Sequence, residues 1–111
     1  MIHHLAIATT NVLKMAEFYK TLPGLNWKED KFTVDGSLRS VWFDTANGCL
    51  LMLEKFPYSK APEALIFQFE PHFNFTDIGL TIIKRTDYTF YFNDPDGNQL
   101  GYSSYPNKLK F

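Results

Sequence analysis

The side chains able to do chemistry in this chain are few and widely spaced. It has three histidines, and His3 and His4 are adjacent. On a strand, neighbours point to opposite faces, so one of the pair can line a concave surface while the other meets a helix or solvent. An imidazole there can carry a proton or hold a metal, or be a hydrogen-bonded strand residue and nothing more. Arg39 could pair with an anionic ligand and the Trp42 ring could stack on a flat one, with a surface ion pair and a core ring as the structural alternatives. Cys49 is the only cysteine and has no basic neighbour in sequence, so neither an activated thiolate, an intrachain disulfide nor a Cys-rich zinc site is expected. No glycine-rich phosphate loop and no Ser/His/Asp constellation is visible.

Charge narrows the partners. With 11 basic against 12 acidic residues, no basic stripe exists to neutralise a run of phosphates, and nucleic acid is not an expected partner. The apolar runs fall far short of the roughly 18 residues that a membrane span needs, so no membrane partner is expected either. No charged segment followed by an apolar one precedes the first folding pattern, which argues against a signal peptide and for a reducing, cytoplasmic address. Eleven phenylalanines are many for 111 residues, and they either fill a core or line an apolar pocket.

These side chains need elements to position them. Residues 2–8 form an apolar run that reads as a strand, and Asn11 can cap a helix whose apolar face is Val12, Met15, Phe18 and Tyr19. Pro23 and Gly24 stop it. Strands over 26–34, 38–44 and 49–56 follow, separated by Asp35-Gly36 and by 45–48, where Asn47-Gly48 favours a reversal. A linker is expected at about 57–62. The second half repeats the order: a strand over 64–69, a very short helix or turn over 70–78, a hairpin of 80–85 with 88–93, and a last strand over 99–104. The expected class is α+β, with two βαβββ modules (about 1–56 and 63–111) in one domain, forming a cupped, mostly antiparallel sheet with a degenerate second helix.

Two stretches carry a resemblance. One runs from His4-Leu5-Ala6-Ile7-Ala8 through Thr10-Asn11 to Ala16-Glu17-Phe18-Tyr19 and Leu22-Pro23-Gly24-Leu25; the other is Phe90-Tyr91-Phe92-Asn93-Asp94-Pro95-Asp96-Gly97-Asn98-Gln99-Leu100. In this order they resemble the opening and closing signatures of the vicinal oxygen chelate superfamily, which includes glyoxalase I, ring-cleaving dioxygenases, methylmalonyl-CoA epimerase and the bleomycin and fosfomycin resistance proteins. The resemblance implies a glyoxalase-like fold, a cup between modules, and in the enzymes one divalent metal held by His or Glu from four strands.

Each implied ligand position can be tested. His4 stands at the first. The second falls near Leu51 or Glu54: an even-length reversal after Asp44 would turn Leu51 and Leu53 into the cup and Glu54 away, whereas a three- or five-residue loop does the opposite. The third falls on the apolar Ala64, with His72 as a rival, and the fourth on Gly101, which should open space in the cup. One or two ligands are too few for a tight site, so no metal cofactor is expected. A divalent metal on His4 and Glu54 is the alternative.

The expected function is then binding of a small apolar or aromatic molecule in the cup, as the resemblance to bleomycin resistance proteins implies. His4, Arg39, Trp42, Asp44, Leu51, Gln68, Gln99 and Ser103 are the expected ligand-binding residues. A metal-dependent lyase, isomerase or dioxygenase at a dimer-interface site is the alternative, and a scaffold whose cup is filled by its own phenylalanines is a third reading. The resemblance implies a homodimer.

Overall fold

The computed structural model describes residues 2–46, 48–60, 62 and 64–110; Asn47 of the expected reversal lies outside them. The elements are β1 (His4–Thr9), α1 (Val12–Tyr19), β2 (Leu25–Phe32), β3 (Leu38–Thr45), β4 (Leu50–Lys55), β5 (Leu65–Gln68), β6 (Lys84–Arg85), β7 (Thr89–Asn93) and β8 (Gln99–Ser103). Two four-stranded sheets result, ordered β1-β4-β3-β2 and β5-β8-β7-β6. In each, the first and last strands pair in parallel and the other pairs are antiparallel, so the second half repeats the topology of the first.

Local chemistry explains the first half. The Asn11 side chain accepts the Lys14 N–H at 3.1 Å, satisfying one of the free donors at the start of α1. Val12, Met15, Ala16 and Tyr19 recur at helical spacing and are buried. Gly24 then takes φ +92°, which a side chain would resist, and brings the backbone against the Phe73 ring of the second half. The β2–β3 reversal turns on Gly36, and hydrogen bonds from Thr33 and from the Ser37 N–H hold the exposed Asp35 carboxyl down at about 2.

Of the very short helix or turn expected over 70–78, the structure has the turn, as a chain of turns. Phe73 N–H reaches Glu70 O at 3.0 Å, Thr76 N–H reaches the Asn74 side chain at 2.9 Å, and no helical ladder continues from them. Asn, Thr, Asp and Gly follow one another here, and their side chains offer the backbone competing local bonds. Among the described residues α1 is therefore the one helix, and it serves both sheets.

That helix lies between them. Sheet one buries Ile7, Val41, Phe43, Leu51 and Leu53 in one cluster with α1, and sheet two buries Leu65, Phe90, Phe92, Leu100 and Tyr102 in the same cluster. The Phe18 ring meets Phe92 at 6.4 Å, Tyr19 Oη donates to Asp94 at 2.8 Å, and Tyr102 Oη donates to the Pro23 carbonyl at 2.7 Å. Each sheet turns its inner face to this shared core.

The two tyrosines give the fold an alkaline limit. Burial pushes the Tyr102 hydroxyl well above its ordinary value, and burial and then the Asp94 charge do the same to Tyr19. A group whose folded value is raised contributes stability that is complete below its unfolded value, about 10, and lost above it. Urea melts at pH 8 and pH 11 should show that loss, and Tyr102→Phe should shrink it. An unchanged difference in the variant would show that Tyr102 is not the source.

Candidate functional site

The outer face of sheet one collects most of the expected ligand-binding side chains. Asp44 pairs with Leu50, Trp42 with Met52 and Ser40 with Glu54, while His4 pairs with Leu50 and Ala8 with Glu54. Even-numbered residues of β1, β3 and β4 therefore share one face, and odd-numbered ones point to the core. This corrects the facing expected from an even-length reversal: five residues, 45–49, separate the paired Asp44 and Leu50, so Glu54 faces outward and Leu51 is buried against the core. Arg39 is exposed, on the face opposite Trp42 and Asp44.

On that face the His4 and Trp42 rings lie 5.0 Å apart at 59°, and His3 Nδ1 lies 3.0 Å from His4 Nδ1, which one tautomer can bridge with a hydrogen bond. Leu50 and Met52 supply apolar ground beside the rings. The charges are partly used: Lys28 reaches Asp44 at 3.5 Å and Lys31 reaches Glu29 at 3.0 Å, both half-exposed pairs of small energetic weight. Next to Glu54 in the register, the Ser40 hydroxyl is buried with no partner among the described residues. The face thus offers an aromatic wall, a thioether and the Glu54 carboxylate.

The outer face of sheet two carries Gln68, Ser103, Gly101, Tyr91 and Gln99. Its polar groups are largely occupied. Thr89 donates to Ser103 Oγ at 2.8 Å, Tyr105 N–H donates to the same atom at 3.2 Å, and Gln68 donates to Glu70 at 3.0 Å. Of the expected ligand-binding residues, His4, Trp42 and Asp44 share the outer face of sheet one and Gln68, Gln99 and Ser103 that of sheet two, while the buried Leu51 and Gln68 line one small pocket of about 180 Å³ between the sheets, with Leu50, Ile66 and Phe73.

The metal positions fare worse. His4 and Glu54 share a face but stand four residues apart in the parallel register, about 13 Å along the strands, too far to share one ion with bonds of about 2 Å. Directly across from His4 is Leu50, which has no donor. Gly101, expected to open space, is buried instead: a Cβ there would meet the Phe90 carbonyl oxygen at 2.8 Å, the Ile66 side chain at 3.0 Å and the Tyr91 ring at 3.3 Å. His72 is exposed on the coil and stacks edge-on against Phe73 at 4.8 Å. Among the described residues no three His, Cys, Asp or Glu side chains come together. The residues present do not fit the four-ligand metal site.

Sequence reasoning missed a crevice of about 1270 Å³ at the end of sheet two, between the 69–82 coil and the C-terminal segment. Its only signal was the weakness of the helical pattern over 70–78.

Comparison with solved structures places the architecture. A possible glyoxalase from Bacillus cereus superposes with TM-score 0.68 at 21% identity, covering 93% of this chain and 97% of that one. A fosfomycin resistance protein, FosX of Listeria monocytogenes, solved in complex with Mn(II), gives 0.72 at 15%, covering 94% and 91%. An antibiotic-binding protein of a Streptomyces species, TnmS3, gives 0.68 at 19%, covering 93% of each. This chain has the vicinal oxygen chelate fold. No protein-family model and no curated protein sequence matches it. At the positions that the resemblance implies, β1 carries His4, β4 the buried Leu51 and the outward Glu54, and β8 Gly101. No helix among the described residues is long and apolar enough to cross a membrane.

Proposed function

We propose that this protein is a glyoxalase-like binding protein with a degenerate metal site, which holds a small apolar or aromatic molecule against the outer face of sheet one. The observation that carries the reading is the His4–Trp42 ring pair set over Leu50 and Met52, where a chelating enzyme would need a second ligand beside the histidine. An aromatic ring can stack on Trp42, and Met52 adapts to its shape. Glu54 can orient a polar substituent.

A homodimer belongs to the same reading. In it a cup closes when sheet one of one copy meets sheet two of another, setting Gln68, Gln99 and Ser103 opposite His4, Trp42 and Asp44. The antibiotic-binding neighbour supports a binding role, and a cytoplasmic location is the simplest for a chain with a single free cysteine.

Trp42 is the natural reporter. Titration with planar aromatic compounds, followed by tryptophan fluorescence and calorimetry, should find ligands whose affinity drops at least about tenfold in Trp42→Ala, given that stacking contributes on the order of 1 kcal/mol or more. Melting the tag-free protein with Mn²⁺, Ni²⁺ or Zn²⁺ tests the alternative. A cation that raises the melting temperature through His4 would overturn the binding-protein reading and turn the search toward lyase, isomerase or dioxygenase chemistry.

A further inference from the structure

The crevice beside sheet two lies where the coil over 69–82 replaces a second helix, and its walls are aromatic. Phe67, Phe69, Phe73 and Phe75 are each only partly buried there, with the buried Phe90 at the floor and the exposed Ile82 at the edge. Phe69 and Phe75 stack at 6.0 Å with planes 13° apart, and Phe75 packs edge-on against Phe90 at 5.2 Å. The rings brace one another, so the space in front of them stays open. At about 1270 Å³ it exceeds the roughly 300–1,000 Å³ of ordinary ligand pockets.

The rim is cationic. Lys108 and Lys110 flank Leu109, which is buried and anchored by its N–H to the Asp87 carbonyl at 2.8 Å, so both lysines are carried at the crevice mouth. Lys110 has no ion-pair partner among the described residues, and Lys108 meets Asp87 only at 4.0 Å with both side chains about three-quarters exposed. The single acid in the lining, Glu70, already accepts the Gln68 amide. Aromatic walls ending at two loosely held ammonium groups are complementary to an apolar body with one negative end.

We propose that this crevice is a second binding site, distinct from the His4–Trp42 face of sheet one although Gln68 and Ser103 stand at its edge, and that it takes an amphipathic anion: a carboxylate on a medium or long alkyl chain. The apolar chain lies along the phenylalanines and Ile82, and the carboxylate meets Lys108 and Lys110.

Calorimetry of the full chain with dodecanoate and with dodecyltrimethylammonium, both below their micelle concentrations, tests it. Dodecanoate should bind at least about fivefold more tightly, since each exposed charge contact contributes up to about 1 kcal/mol. Charge reversal in Lys108→Glu/Lys110→Glu should weaken dodecanoate about tenfold on the same basis and leave the melting temperature unchanged, because both side chains are exposed. Ile82→Asp should weaken both amphiphiles, and Trp42→Ala should change neither. Equal affinities for the two amphiphiles, or indifference to the lysine pair, would overturn the proposal. So would loss of binding in Trp42→Ala alone, which would move the ligand to sheet one. If Ile82→Asp instead dissociates a dimer in sedimentation and dodecanoate does not bind, a second copy covers the crevice and the ligand reading is wrong.

Discussion

Asp94→Ala is expected to destabilise the fold by about 4 kcal/mol, because four hydrogen bonds of about 1 kcal/mol each end on this one buried carboxylate. Tyr19 Oη donates to it at 2.8 Å, the Asn98 amide at 2.7 Å, and the backbone N–H groups of Asn98 and Asp96 at 2.9 and 3.0 Å. Two of these set the β7–β8 turn, and the Tyr19 bond ties that turn to α1. Because α1 packs against both sheets, the carboxylate joins the two halves of the molecule. Tyr19→Phe should remove only one bond, at about 1 kcal/mol. Asp94→Ala made in that background should then cost less than in the native chain, since one of its donors is already gone. Urea unfolding of the two single variants and the double variant measures the coupling. Strictly additive losses would mean that the hydrogen bond between Tyr19 and Asp94 contributes nothing.

The first sheet was legible because its signals are local. Asn11 caps where a cap is expected, Val12, Met15 and Tyr19 keep helical spacing, and Asp35-Gly36 sets a reversal. The facing of β4 was not legible, because it depends on whether the connection after Asp44 holds an even or odd number of residues, and one residue reverses every side chain. Likewise, nothing local in Gln68, Gln99 or Ser103 says that their face is a different one from that of Trp42. That arrangement follows from how α1 is shared between the sheets, a long-range packing choice made by Phe18, Tyr19 and Tyr102. The coil over 70–78 was half legible: Pro71 and the Asn-Phe-Thr-Asp run weakened the helix, but only the folded chain shows that its absence leaves a crevice.

Gly101 puts the proposed loss of chelation to the test. The resemblance puts an acidic ligand at this position, and the simplest repair would be Gly101→Glu. That variant is expected to lose about 3 kcal/mol and to gain no metal. A Cβ would stand 2.8 Å from the Phe90 carbonyl oxygen, an atom of the neighbouring strand's backbone that cannot turn aside as a flexible side chain can. The Ile66 side chain and the Tyr91 ring close the remaining room at 3.0 and 3.3 Å, so a carboxylate there would be pressed into apolar surroundings without a cation. On the other sheet, Leu50→Glu is the informative companion. Leu50 is only partly buried and lies directly across from His4, so a carboxylate there should cost under about 1 kcal/mol and meet the imidazole. Thermal melts of both variants with and without Mn²⁺ separate the two causes. If Gly101→Glu folds normally and Mn²⁺ stabilises it, the last strand has kept room for a ligand and the site is one substitution from chelation. If Gly101→Glu is destabilised and unresponsive while Leu50→Glu folds, strand β8 has been packed shut around a glycine by Ile66 and Tyr91, and the chemistry left to the fold is that of its rings.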